Sequence, residues 1–104
     1  MADNRRTSTR HEVSLSGQVA IDGSPKTCTV VNLSLGGAQV AGLARHGMGQ
    51  RVTIRFVVPT MADPIEVGGT VRWSDDKATG IQFDGLRARD VWALNQYFQQ
   101  LGSR

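Results

Sequence analysis

Apolar residues recur at every second position through most of this chain. Val13, Leu15, Gly17, Val19 and Ile21 fall on one side, with Ser14, Ser16, Gln18 and Ala20 on the other. That alternation predicts a half-buried strand. Asp22-Gly23-Ser24-Pro25 is a turn signal. A second strand is predicted over 26–33 from the β-branched residues Thr27, Thr29, Val30 and Val31. Its alternation is not clean, so the face taken by Cys28 stays open. Gly36-Gly37 breaks it, and 38–41 reads as a short third strand before a loop over 42–50. The clearest strand runs over 50–58, with Val52, Ile54, Phe56 and Val58 inward and Thr53 and Arg55 outward. Pro59 and Pro64 bracket a loop, since neither can donate to a central sheet ladder. Alternation resumes over 65–74, placing Ile65, Val67, Val71 and Trp73 on one face. A charged turn at Asp75-Asp76-Lys77 leads to a last strand over 78–83, with Ile81 and Phe83 inward. Short strands with turns between them, and no helix interleaved, predict an antiparallel barrel closed on itself to hide its edges.

After Asp84-Gly85 the period changes. Val91, Leu94, Phe98 and Leu101 follow a helical spacing opposite Arg89, Gln96 and Gln100, and Gly102 is a stop. A helix of at most four turns is marginal in isolation, so its stripe should dock on the barrel or on another subunit. The expected organisation is one domain: an arm over 1–11, a barrel over 12–85 and a terminal helix over 86–104. The 104 residues match the size of one domain.

Composition narrows the function by exclusion. A lone Cys28 rules out an internal disulfide and is expected to be a small buried hydrophobe in a reducing compartment. No apolar run is long enough for a membrane helix. The basic opening is not followed by an apolar segment of the kind a signal peptide carries. The expectation is therefore a cytoplasmic protein, a monomer or weak homodimer. His11 and His46 are far apart in sequence and lack companions at metal-ligand spacing, so both are expected to be solvated and no metal is expected. No nucleophile elbow or phosphate-binding loop is present, and an enzyme is not expected. The formal charge of +3 favours anionic partners.

Two stretches carry the candidate chemistry. Asn4-Arg5-Arg6-Thr7-Ser8-Thr9-Arg10 uses arginine as its only cation. Each guanidinium is a planar fork that can bridge phosphate oxygens or a guanine edge, or stack on a purine. Taken alone, such a stretch is more often a solvated basic tail. The second is Asn32-Leu33-Ser34-Leu35-Gly36-Gly37. Asn32 and Ser34, two residues apart on an extended segment, should point the same way. Gly36 and Gly37 allow backbone angles that let amides approach a ligand.

In that order the two stretches resemble the paired signature of the PilZ domain, the bacterial receptor module for cyclic di-GMP. Gly49-x-x-Val52, Gly69-x-Val71-x-Trp73 and Gly80-Ile81-x-Phe83 also follow the family's usual order, so the resemblance covers nearly the whole chain. It implies an all-β fold with a C-terminal helix, a six-stranded antiparallel β-barrel. It further implies a cyclic di-GMP receptor or adaptor acting on an effector protein, in motility, biofilm or a similar output, with no other cofactor. Arg6 and Arg10 would grip the phosphates and guanine edges. Asn32 and Ser34 would hydrogen-bond a guanine, Gly37 would leave room for it with Gly36 beside it in the site, and Trp73 would stack on a base or belong to the core. Arg5, just before the motif, goes in that family with an intercalated ligand dimer. The runner-up is a degenerate PilZ-like interaction module of motility or pilus machinery that needs no nucleotide. A third reading is a basic barrel for single-stranded nucleic acid, using Arg45, Arg51, Arg55 and Arg72; with only six aromatics for stacking it ranks lowest, and no specific nucleic-acid polymer is expected.

Overall fold

The computed structural model describes residues 10–43 and 47–102. Arg5, Arg6, Arg45 and His46 therefore lie outside the described residues. Six strands are followed by one helix: β1 (His11–Ile21), β2 (Ser24–Leu33), β3 (Gly37–Ala41), β4 (Arg51–Phe56), β5 (Ile65–Ser74), β6 (Thr79–Phe83) and α1 (Ala88–Gly102). The strands close into an antiparallel barrel in the order β1-β2-β3-β6-β5-β4, with β4 returning to β1. The all-β barrel with a C-terminal helix is thus the observed architecture.

The β1–β2 turn is tighter than the sequence suggested. Asp22 and Gly23 have φ of 54° and 81°, and Ile21 already pairs with Ser24. Positive φ at both central residues is the hairpin geometry whose twist matches that of the strands, and glycine adopts it without strain. Ser24 and Pro25 consequently belong to β2, with Pro25 opposite Ala20 at the ladder's end.

The inward positions of β1 and β4 are those expected: Leu15, Val19 and Ile21, then Val52, Ile54 and Phe56, with Val58 just beyond. Cys28 is buried opposite Gly17, and burial pushes its thiol up to about 11. Desolvation of the thiolate is the cause. Of the large core side chains, Phe56, Leu33, Ile54 and Ile65 are almost entirely withdrawn from water. Each contributes on the order of 1.5–3 kcal/mol of transfer free energy.

Three register shifts interrupt the ladders: in β1 between Glu12 and Leu15, in β2 between Val30 and Asn32, and in β5 between Val71 and Trp73. Each inserts one extra residue, and a one-residue slip reverses which face the next side chain takes.

The helix packs on the barrel through Asp90, Ala93, Leu94 and Tyr97, which are buried, while Val91, Phe98 and Leu101 are only half-buried. The buried stripe is thus rotated from the expected one, and Leu94 is common to both. Two tethers fix it. Thr60 Oγ1 donates to the Ala93 carbonyl at 2.7 Å, and Phe98 stacks on His11 with ring centroids 4.0 Å apart. His11 is therefore half-buried against an aromatic ring and not solvated as expected. At the helix start, the Asp90 carboxylate, 1 % exposed, accepts from the Arg87 backbone N–H at 3.4 Å and from Arg87 Nε at 3.1 Å. A carboxylate reaching back to the capping residue satisfies an orphan donor and opposes the helix dipole. Among the described residues no helix is long and apolar enough to cross a membrane.

Candidate functional site

The turn between β2 and β3 is built on Ser34. Its hydroxyl accepts from the backbone N–H groups of Gly36 and Gly37, both at 3.2 Å, and donates to the Gly37 carbonyl at 3.3 Å. The Ser34 backbone N–H donates to that same carbonyl at 2.9 Å. One donor and two acceptor sites exhaust a hydroxyl's capacity. Ser34 is buried, and its side chain holds the shape of the turn.

The unusual backbone angles expected of the two glycines are not the ones they adopt. The glycines with positive φ are Gly23, Gly42 and Gly49, and neither Gly36 nor Gly37 is among them. Gly37 pairs with Gln82, and a Cβ at Gly37 would collide with the Ile81 carbonyl on β6. The absent side chain lets β3 approach β6, while the two amides are turned onto Ser34.

Asn32 and Ser34 do not share a strand face. Leu33 ends β2, and Ser34 lies in the turn. Asn32 reaches the outer surface because of the register shift after Val30. Cys28 and Val30 are buried, so uninterrupted alternation would send Asn32 inward; the extra Val31 sets it half-buried opposite Gln39.

The shift in β5 does the same for Trp73. Uninterrupted alternation from Ile65, Val67 and Val71 points Trp73 into the core, as the sequence pattern predicted. The extra residue, Arg72, turns it outward instead: Trp73 is 37 % exposed and pairs with Gly80. A Cβ on Gly80 would fall on the indole ring, so the bare backbone of β6 makes a shelf for it.

These devices converge on one cleft of about 390 Å³. It runs over the outer face of β3 and β6, from Arg10, Asn32, Ser34, Gly36 and Gly37 to Arg72 and Trp73, floored by Ala38, Gln39, Gly80, Ile81 and Gln82. Arg10, Asn32, Ser34, Gly36, Gly37 and Trp73 are thus brought together. Arg72, Gln39 and Gln82 are additions; Gln39 carries no sequence signal, but Gln82 falls between the inward pair Ile81 and Phe83 and so was legible as outward. Among the described residues no carboxylate lines the cleft. Arg51, on β4, is held elsewhere: it makes a forked pair with Asp84 at 2.7 and 2.5 Å and donates to Thr70. The hydrogen bond from Arg51 holds the Asp84 carboxyl below the usual range. A site rich in guanidinium and amide donors, free of acids and floored by an indole, suits a flat, anionic, hydrogen-bonding ligand.

A barrel of this topology with a turn of this construction defines a small β-barrel binding domain. The model of the PilZ domain family matches residues 4–100, and the chain belongs to that family. It is similar to the solved structure of the Bacillus subtilis inhibitor of motility MotI/DgrA, at 25% identity and a TM-score of 0.78, over 97% of this chain and 54% of that one. It also resembles the PilZ domain of CeSA from a cellulose-synthesizing bacterium, at 16% identity and a TM-score of 0.68, covering 88% and 97%. The Borreliella burgdorferi PlzA protein in complex with c-di-GMP is similar at 22% identity and a TM-score of 0.71, covering 91% and 41%. The chain thus spans about half the length of the motility inhibitor. No curated protein sequence matches it.

Proposed function

We propose that the chain is a cyclic di-GMP receptor that passes the level of this second messenger to a partner protein. The observation that carries the reading is the acid-free cleft in which Arg10, Asn32 and Trp73 meet from three separate strands or strand ends. Its shape and donors suit a ligand with two phosphates and two purines. PlzA, a structural relative, is solved with c-di-GMP bound. In this reading Arg10, with Arg5 and Arg6 of the preceding segment, grips phosphate and guanine edges. Asn32 hydrogen-bonds a guanine, and Trp73 stacks beneath a base. Ser34, Gly36 and Gly37 act together by holding the turn open. The arm closes over the ligand, which enters as an intercalated dimer, and no other cofactor is used. Binding takes place in the cytoplasm and changes a surface that an effector reads. The similarity to an inhibitor of motility makes motility the first output to examine.

Isothermal titration with cyclic di-GMP tests this directly by giving affinity and stoichiometry together. Two nucleotides per chain are expected. Arg6→Ala or Arg10→Ala should weaken binding at least tenfold, the equivalent of one charge-assisted hydrogen bond of about 1.5–3 kcal/mol. A folded wild-type chain that ignores the nucleotide at micromolar excess would leave the nucleotide-independent interaction module as the better reading.

A further inference from the structure

Arg72 enters none of the motifs by which this family is recognised, yet the structure places it at the cleft. It is the extra residue of the β5 register shift, exposed beside Trp73 on the outer face. Half of the described arginines have carboxylate partners: Arg51 pairs with Asp84, Arg87 with Asp90, and Arg89 with Asp63 and Asp90. The side chains of the other three, Arg10, Arg55 and Arg72, make no hydrogen bond or ion pair with any described residue. Two of those three line the cleft, with no acid to neutralise them.

Arg10 precedes β1 and Arg72 sits on β5, on either side of the β3 and β6 floor of the cleft. Two cations flanking one floor suit a ligand carrying two anionic groups on one rigid frame better than one small anion.

We infer that Arg72 is a second anion-holding residue of the cleft, binding the phosphate of the cyclic dinucleotide that Arg10 does not reach. This rests on the cyclic di-GMP reading above and adds a residue to it. Arg72 and Trp73 are consecutive and both line the cleft, so a purine stacked on that ring brings its ribose phosphate to Arg72. The forked donor then closes the side of the site opposite Arg10.

Calorimetric titration of the full chain tests this with four variants, Arg72→Gln, Arg72→Lys, Arg10→Ala and Arg55→Ala, each first checked for an unchanged melting temperature. Cyclic di-GMP should bind Arg72→Gln at least tenfold more weakly than wild type, and Arg72→Lys at an intermediate level. Arg55 has the same exposure and no partner but lies outside the cleft, so Arg55→Ala should bind like wild type. Should Arg72→Gln bind as wild type does, or should Arg55→Ala lose as much, the assignment of Arg72 is overturned while the receptor reading stands. Failure of wild type itself to bind overturns both.

Discussion

The indole of Trp73 lies where a side chain on Gly80 would have to be, so the two residues form one unit across β5 and β6. The bare glycine backbone supports an aromatic ring that would otherwise have no seat on the outside of a barrel. Gly80→Ala is expected to displace the ring, cost about 1–3 kcal/mol of stability as overpacking does, and shift tryptophan emission. In the receptor reading it also weakens cyclic di-GMP binding. Emission spectra and chemical denaturation of the variant check both parts.

Ser34 has no hydrogen-bonding capacity left over from its own turn, which sets what its removal does. Ser34→Ala removes the acceptor of two backbone amides, at Gly36 and Gly37, in a part-buried turn. A loss on the order of 1–3 kcal/mol is expected without any ligand present. Thermal melting of the ligand-free variant measures it. A weakened ligand response in this variant is then partly a consequence of a loosened turn.

Cys28 makes stability fall at alkaline pH. Its thiol is pushed up to about 11 in the folded chain, against about 8.5 for an unfolded cysteine. The folded state therefore keeps a proton that the unfolded state releases. The stabilisation is complete below about pH 8.5 and is lost as pH rises through about 11, a change on the order of 3 kcal/mol. Urea midpoints from pH 8 to 11 should fall more steeply for wild type than for Cys28→Val. The folded thiol should also react slowly with alkylating reagents, since the thiolate is the nucleophile.

Asp84 acts at the other end of the scale. The hydrogen bond from Arg51, followed by the attraction of its charge, depresses the carboxyl, while desolvation works against them. A depressed folded value means that the stabilisation is present above the ordinary carboxyl range and is lost as pH falls through the folded value. Both partners are exposed, so the effect is small and screened by salt. Asp84→Asn should flatten the acid limb of the stability profile at low ionic strength, as followed by circular dichroism between pH 5 and 2.

Much of the barrel was legible because one face of each strand is buried, and a period of two then writes itself into the residue types. Val52, Ile54, Phe56 and Val58 on one side of Thr53 and Arg55 is the plainest case. The same rule failed at the register shifts. One inserted residue leaves composition unchanged but reverses the parity of everything after it. Alternation alone put Trp73 on the face of Ile65, Val67 and Val71 and left core or ligand open for it, and Asn32 was placed on a common strand face with Ser34. The site is built where alternation breaks, so pattern reading located its motifs but not how they come to meet. His11 escaped for another reason: its partner Phe98 lies on a helix 87 residues further on, and no local pattern encodes that contact. Asp90 was overlooked because its value lies in the backbone donor of Arg87 that it satisfies.

Closure of the sheet has a consequence for any protein that binds here. Because β4 returns to β1, the middle of the barrel has a ladder on both sides of each strand, and it is strand ends, such as those of the long first hairpin (11–16 of β1 beyond β4 and 24–28 of β2 beyond β3), that reach past their second neighbour. A guest that extends the sheet, or a second copy, has only such short stretches to pair with. Elsewhere recognition is written in side chains, on the helix, the loops or the barrel's outer skin, and is therefore open to change by single substitutions that leave the fold intact.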